Sequence, residues 1–147
     1  MLQSILRRLP LWLLAMTLAP ALHAIEFTED SLKTVKKAVD EKQATLVDVR
    51  SEKEWDKGHI AHAIFLPVTS LKDDLDEEDL AKALPLKGRY YIYCAVGIRA
   101  TRAGEYLEKR GYEVKVLKPG YQQLVEAGFK KAAKDDKTQL RSSQVVE

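Results

Sequence analysis

The chain has 147 residues, with 24 Lys and Arg side chains against 22 Asp and Glu and a net charge of +2 at pH 7. This length is enough for one domain with a hydrophobic core. The near balance of charge gives no reason to expect nucleic acid as a partner, and a single cysteine excludes an internal disulfide.

The first 24 residues have the layout of a secretory signal peptide. Arg7 and Arg8 precede an apolar run over 9–22, and the small residue Ala24 offers a cleavage point. The run is shorter than the roughly 18–20 residues needed to span a bilayer. We therefore expect residues 1–24 to be removed and the protein to reach the periplasm without a stable membrane anchor. An uncleaved signal anchor is the alternative.

Apolar spacing in the rest of the chain predicts alternating helices and strands in one domain over 25–129, followed by a polar tail over 130–147. Such alternation is typical of an α/β domain with a small, mostly parallel sheet and helices on both faces. In chain order we predict a helix over 29–41 with Thr28 as its N-cap, a strand over 44–49, and a short helix from Ser51 that is capped because Glu54 follows three residues later. The further predicted elements are a strand over 63–66, a helix over 70–84, a strand over 90–93, a helix over 100–110, a strand over 113–117 and a helix over 121–127.

The only cysteine directly follows the predicted strand over 90–93, and a short loop leads from it to the predicted helix over 100–110. Loop N–H groups and the positive end of the helix converge at this point, so a thiol there should ionise readily and face an anion. Ligands of parallel sheets also bind at the carboxyl ends of the strands. We interpret Cys94 as a nucleophile; a buried, inert cysteine is the alternative. The loop consists of Cys94, Ala95, Val96, Gly97, Ile98 and Arg99.

Three motifs then occur in an order and spacing that resemble a known family. They are 46–50 with the nearby Glu54-Trp55 and Gly58-His59-Ile60, the loop over 94–99, and the passage over 111–120. Together they make 29–129 similar to a single-domain rhodanese, a sulfurtransferase, and most similar to small periplasmic rhodaneses. His62 stands where that family usually has glycine, and Pro119 replaces the first of two glycines.

The resemblance implies a fold and a reaction. The fold is rhodanese-like. The Cys94 thiolate attacks the outer sulfur of thiosulfate, sulfite leaves, and the resulting persulfide passes its sulfur to a thiol acceptor or to cyanide. The reaction needs no metal and no organic cofactor. The resemblance also implies that the substrate-binding residues are Ala95, Val96, Gly97, Ile98 and Arg99.

Four residues near these motifs have more than one interpretation. The guanidinium of Arg99 suits a sulfonate-like anion, whereas the alternative is an arginine tied to a carboxylate that braces the loop. Asp48 and Arg50 resemble a buried ion pair that supports the site, and direct catalysis is the alternative. His59 is interpreted as a hydrogen-bonded structural residue, and a catalytic base is the alternative. His59 and His62 without a third ligand do not make a metal site.

A phosphatase of the same fold would carry its arginine six positions after the cysteine, and here Arg99 comes five positions after Cys94. Tyr93 also stands where such a phosphatase has histidine, so we reject that hypothesis. A non-catalytic binding module and a persulfide carrier supplied by a protein partner remain alternatives. The sequence does not identify the physiological donor, the acceptor or the oligomeric state.

Overall fold

The computed structural model describes residues 25–72 and 75–133. The predicted signal peptide over 1–24 and residues 134–147 of the predicted tail lie outside these ranges. Among the described helices, none combines the length and the apolar character needed to cross a membrane. The elements in chain order are α1 Leu32–Asp40, β1 Thr45–Asp48, α2 Glu52–Lys57, β2 Ile64–Phe65, α3 Val68–Lys72, α4 Glu77–Ala83, β3 Arg89–Tyr93, α5 Ile98–Glu108, β4 Glu113–Val116 and α6 Tyr121–Glu126.

The strands form a sheet in the order β2-β1-β3-β4, with every pair parallel. In its register Val47 of β1 lies opposite Ile92 of β3, which in turn lies opposite Val116 of β4. The predicted parallel α/β sheet is therefore confirmed. β3 has a neighbouring strand on each side. Cys94, which directly follows β3, therefore lies near the middle of the sheet at its carboxyl edge.

Side chains of β3 alternate between the two faces of the sheet, as the pleat of a strand requires. Ile92 and Cys94 belong to one core cluster, together with residues of α3, α4 and α5. Tyr91 and Tyr93 belong to a second cluster, with residues of α1, α2 and α6. Helices thus cover both faces, as predicted, and Cys94 faces the layer that contains α5.

The single helix predicted over 70–84 is wrong, because this stretch contains two helices. α3 begins at Val68, directly after Pro67, and α4 begins at Glu77. The Asp76 side chain caps α4 by accepting a hydrogen bond from the backbone N–H of Glu78 at 2.9 Å. A run of acidic residues therefore contained a helix start that apolar spacing alone did not reveal.

The predicted cap of the first helix is also wrong. Ser31, and not Thr28, accepts a hydrogen bond from the Thr34 N–H, and α1 begins at Leu32. The Thr28 N–H instead donates to the carbonyl oxygen of Val116 at 2.8 Å. Both residues are good N-caps by type, but the Thr28 hydroxyl accepts from the Asp30 N–H at 3.2 Å, before the helix begins, whereas the Ser31 hydroxyl accepts from the first turn of α1.

The first residues of the predicted tail hydrogen bond to the domain. The Ala61 N–H donates to the Lys130 carbonyl at 2.8 Å, and the Ala132 N–H donates to the His59 carbonyl at 3.0 Å. Through this antiparallel bridge, residues after 129 hydrogen bond to the domain, although the sequence predicted that the domain ends at 129.

Candidate active site

Cys94 lies at the carboxyl end of β3 and has no solvent-exposed surface. The backbone N–H of Gly97 donates a hydrogen bond to its Sγ at 3.0 Å. The connection that follows is shorter than predicted, because α5 already begins at Ile98 and Arg99 lies in its first turn. The first-turn N–H groups of an α-helix have no carbonyl partner within the helix, so the start of α5 offers donors near the sulfur.

Gly97 has a left-handed backbone with φ of +90°. Its carbonyl accepts hydrogen bonds from the N–H of Thr101 at 2.9 Å and from the Thr101 hydroxyl at 3.2 Å. A Cβ at position 97 would lie 2.9 Å from two ring carbons of Phe27. Conformation and space both require glycine here, and this backbone places the Gly97 N–H against the cysteine sulfur.

The start of α6 also contacts the cysteine loop. The Tyr121 N–H donates to the Cys94 carbonyl at 3.0 Å. Gly120 lies so close to the loop that a Cβ there would overlap the carbonyl oxygen of Ala95. Glycine at 120 is therefore a requirement of close backbone approach, whereas the neighbouring position tolerates Pro119.

Asp48 and Arg50 form the buried ion pair that the sequence predicted. Arg50 Nε and Nη2 donate to the two carboxylate oxygens at 2.6–3.0 Å, and the side chains are 0% and 5% exposed. The Tyr93 hydroxyl donates to Asp48 Oδ2 at 2.8 Å. Burial lowers the pKa of Arg50, but the adjacent Asp48 carboxylate raises it more, so the guanidinium stays charged. Burial, and then the Asp48 charge, raise the pKa of Tyr93 well above its ordinary value.

This pair also reaches the cysteine loop. The Arg50 guanidinium lies over the Tyr121 ring at 4.2 Å from its centroid, and Nη2 donates to the Gly58 carbonyl at 2.8 Å. Tyr121 in turn donates to Cys94, so Arg50 connects the end of β1 with α2 and with the residue that holds the loop. Support of the site by Asp48 and Arg50 stays a prediction, with this chain of contacts as its structural basis.

Arg99 is tied to a carboxylate, which is the alternative interpretation of that residue. Its Nη1 and Nη2 donate to the two carboxylate oxygens of Glu54 at 2.5 and 2.8 Å. The two side chains are 30% and 33% exposed. Arg99, followed by Ser51, holds the pKa of Glu54 well below its ordinary value, and Glu54 raises the pKa of Arg99. Binding of a substrate anion by Arg99 stays a prediction, since the anion would have to share or replace Glu54.

His59 hydrogen bonds through one ring nitrogen, while its buried Nε2 has no hydrogen-bond partner within the described residues, so its structural role stays a prediction. Its Nδ1 lies 3.0 Å from the Trp55 carbonyl, which can only accept, so Nδ1 carries the proton. The imidazole stacks on the Trp55 indole with 3.6 Å between centroids. His62 has a left-handed backbone with φ of +62°, and this conformation accounts for the glycine usual at that position in the resembled family. Within the described ranges, no three His, Cys, Asp or Glu side chains are grouped to hold a metal ion.

Three residues of the site were not identified from the sequence. Glu54 was interpreted through its spacing from Ser51 and as part of a family motif, and it does accept a hydrogen bond from the Ser51 N–H as predicted. Its pairing with Arg99, and the contacts of Phe27 and Tyr121 with the loop, join segments far apart in the chain. No local pattern marks such contacts. The exposed apolar side chains of Val96, Ile98 and Phe27 complete the surroundings of the loop.

Comparison with known proteins agrees with this geometry. The model of the rhodanese-like domain family matches residues 31–127. The Bacillus subtilis protein YqhL, described as uncharacterised, is 35% identical over 81 residues, covering 54% of this chain and 60% of that protein. A tRNA uridine(34) hydroxylase of Staphylococcus aureus strain JH9 is 32% identical over 78 residues, covering 53% of this chain and 24% of that protein. The chain thus spans about a quarter of the hydroxylases that it matches.

Solved structures show the same architecture. A rhodanese-related protein of Thermoplasma volcanium has a TM-score of 0.58 at 27% identity over 69% of this chain and 93% of that one. A rhodanese-like domain protein of Staphylococcus aureus has a TM-score of 0.56 at 27% identity over 69% and 95%. The human single-domain sulfurtransferase TSTD1, at 23% identity and a TM-score of 0.58 over 66% and 94%, shows the fold alone. The family model covers more than half of the chain and contains the cysteine loop, and this protein therefore belongs to the rhodanese-like domain family.

Proposed function

We propose that this protein is a sulfurtransferase that moves the sulfane sulfur of thiosulfate through a persulfide on Cys94 to a thiol acceptor or to cyanide. The observation that carries the proposal is the Gly97 N–H, which donates to Cys94 Sγ at 3.0 Å next to the start of α5. A hydrogen bond to sulfur and a helix N-terminus both favour the anionic form of a thiol and of a persulfide. Membership of the rhodanese-like family supports the same chemistry.

The reaction proceeds in two displacements at sulfur. The Cys94 thiolate attacks the outer sulfur of thiosulfate, a bond forms between the two sulfur atoms, and sulfite leaves with the electron pair of the broken S–S bond. An acceptor thiolate then attacks the terminal persulfide sulfur, and Cys94 leaves as thiolate. With cyanide as acceptor the product is thiocyanate. No net oxidant or reductant is consumed, and covalent catalysis of this kind requires only an ionised nucleophile.

Two sets of donors are available to the anionic donor molecule. The first-turn N–H groups of α5 have no partners within the helix, and they directly follow Gly97, whose N–H contacts the sulfur. Arg99 lies in the same turn, and about a third of its side chain and of that of Glu54 is exposed, so this ion pair is partly open to solvent. In this proposal thiosulfate binds to the helix N-terminus and draws Arg99 partly away from Glu54.

A persulfide carrier supplied by a protein partner is the second candidate. The observation that favours it is the apolar surface beside the cysteine, where Val96 and Ile98 are 70% and 63% exposed. A small hydrated anion gains nothing from such a surface, whereas a partner protein could cover it. The hydroxylase activity named for the longer relatives is not carried over, since this chain matches about a quarter of them.

The test is an assay of thiocyanate formation from thiosulfate and cyanide by the chain from Ile25, alongside Cys94→Ser. We expect turnover by the wild type, no turnover by the variant, and a wild-type mass increase of about 32 Da after thiosulfate that is lost on reduction. Leu86→Ala is the control and should stay active, because Leu86 is an exposed side chain in the turn before β3, away from Cys94. A folded wild type without turnover or added mass would exclude thiosulfate as donor and favour the carrier.

We also propose that the protein acts in the periplasm after removal of residues 1–24. The support is the basic, then apolar, then small-residue layout of this segment. Expression of the full sequence in a Gram-negative host, followed by fractionation and intact-mass measurement, tests it. A periplasmic protein that starts at Ile25 is expected. Retention of Met1, or recovery in the cytoplasmic or membrane fraction, would contradict the proposal.

A further inference from the structure

Phe27 lies against the cysteine loop although it precedes the region that the family model matches, which begins at residue 31. A Cβ at Gly97 would be 2.9 Å from Cε1 and Cζ of the Phe27 ring, so the edge of the ring occupies the space next to the Gly97 Cα. The side chain is 38% exposed, and its remaining surface is covered by the protein. The ring therefore contacts the one loop residue whose N–H donates to Cys94 Sγ.

The segment that carries Phe27 is attached to the sheet. Phe27 forms a parallel bridge with Val116 on the outer edge of β4, and the Thr28 N–H donates to the Val116 carbonyl at 2.8 Å. Three residues later, Asp30 accepts hydrogen bonds from the Tyr91 hydroxyl and from Lys115 Nζ, both at 2.7 Å. These contacts hold the Phe27 ring at a defined position relative to β3, and hence to Cys94.

We propose that Phe27 is a positioning residue of the active site, whose ring holds Gly97 in the left-handed conformation that directs its N–H to Cys94 Sγ. Only the kinetic consequence of this inference rests on the proposed sulfur transfer. A glycine at φ of +90° has wide conformational freedom, so packing must select the productive geometry. The Thr101 hydrogen bonds restrain the Gly97 carbonyl, and the ring packs at the position that a Gly97 Cβ would occupy.

The first experiment tests the loop geometry without any substrate, through hydrogen exchange of the Gly97 amide. The full sequence is expressed, the protein is purified in the form that the cell produces, and hydrogen exchange of the Gly97 amide is followed by NMR. In Phe27→Ala we expect this amide to exchange at least about tenfold faster, while amides of β3 keep their wild-type rates. Phe27→Met, which refills the space with a flexible apolar side chain, should restore most of the protection.

Leu86→Ala is the matched control. Leu86 is another exposed apolar side chain, 56% exposed, and it lies in the turn before β3, at the end of the sheet away from Cys94. Its removal should leave Gly97 exchange unchanged. An unchanged Gly97 amide in a folded Phe27→Ala protein would overturn the proposal, as would equal acceleration at Gly97 and in β3, which would indicate general destabilisation.

The second experiment reads the consequence for sulfur transfer. In Phe27→Ala we expect kcat to fall about tenfold with little change in KM for thiosulfate, because the ring orients a donor near the sulfur and does not bind the anion. Phe27→Met should recover most of kcat. Faster Gly97 exchange with wild-type kcat would overturn the catalytic part of the proposal. If the wild type itself transfers no sulfur, faster Gly97 exchange in Phe27→Ala would leave the positioning role intact and reject the proposed function instead.

Discussion

Two arginine–carboxylate pairs flank the cysteine loop, and they differ mainly in their access to water. The Asp48–Arg50 pair joins two residues of one chain segment and is almost completely buried. The Glu54–Arg99 pair joins α2 to the first turn of α5, and about a third of each side chain is exposed. Both pairs are bidentate, with N–O distances of 2.5–3.0 Å.

The difference in exposure implies a difference in role. A buried pair cannot lose one member without leaving an unpaired charge in a medium that solvates it poorly, so it is suited to a fixed support. A partly exposed pair is weak because water competes for both charges, and a third charge can replace one partner at little cost. Arg50 is therefore expected to affect stability, and Arg99 to affect the binding of an anion.

The largest expected effect is on stability. Arg50→Met would leave the buried Asp48 carboxylate without its cation, and we expect the free energy of unfolding to fall by about 3–5 kcal/mol. Arg99→Met makes the same chemical change in the exposed pair, and the expected loss is about 1 kcal/mol or less. Denaturant titration of both variants measures the contrast. Equal losses would mean that burial does not distinguish the two pairs.

The second prediction concerns substrate binding. In Arg99→Ala we expect KM for thiosulfate to rise about five- to tenfold with kcat nearly unchanged, because a charge-assisted contact to the anion is lost. Arg102→Ala is the control: Arg102 lies one turn further along α5 and is exposed, and its KM should match the wild type. If KM does not change in a folded Arg99→Ala protein, Arg99 only braces the loop against Glu54.

The smallest expected effect is a pH dependence of stability. Arg99 holds the pKa of Glu54 well below its ordinary value of 4.5. A carboxylate with a lower pKa in the folded state stabilises the fold above its unfolded pKa, and this contribution is lost as the pH falls through the folded value. In Glu54→Gln, which keeps an oxygen that can accept from the Ser51 N–H, the contribution is absent at every pH.

Unfolding free energies of wild type and Glu54→Gln between pH 6 and pH 2 test this directly. The wild type should be the more stable protein at pH 6, and the gap should narrow progressively below about pH 4.5. A gap that stays constant over this range would show that the carboxylate charge of Glu54 does not contribute to stability.

Much of the fold was accessible from local sequence patterns. The strand over 90–93 was recognised because it is a short aromatic and β-branched run, and the structure places β3 at Arg89–Tyr93. The capped start of α2 was recognised from the spacing of Ser51 and Glu54. Local patterns failed where two equally suitable residues competed, as Thr28 and Ser31 did for the cap of α1.

The sequence by itself determined that an α/β domain would place a lone cysteine at the end of a buried parallel strand. The spacing of apolar residues indicates both buried strands and the buried faces of helices. The resemblance of residues 46–50 to a family motif added the Asp48–Arg50 pair, whose members are two residues apart. Only the tertiary structure decided that Arg99 meets Glu54, 45 residues away, and that Phe27 meets Gly97. Such contacts depend on strand order and on how the helices pack against the sheet, and no spacing along the chain encodes them.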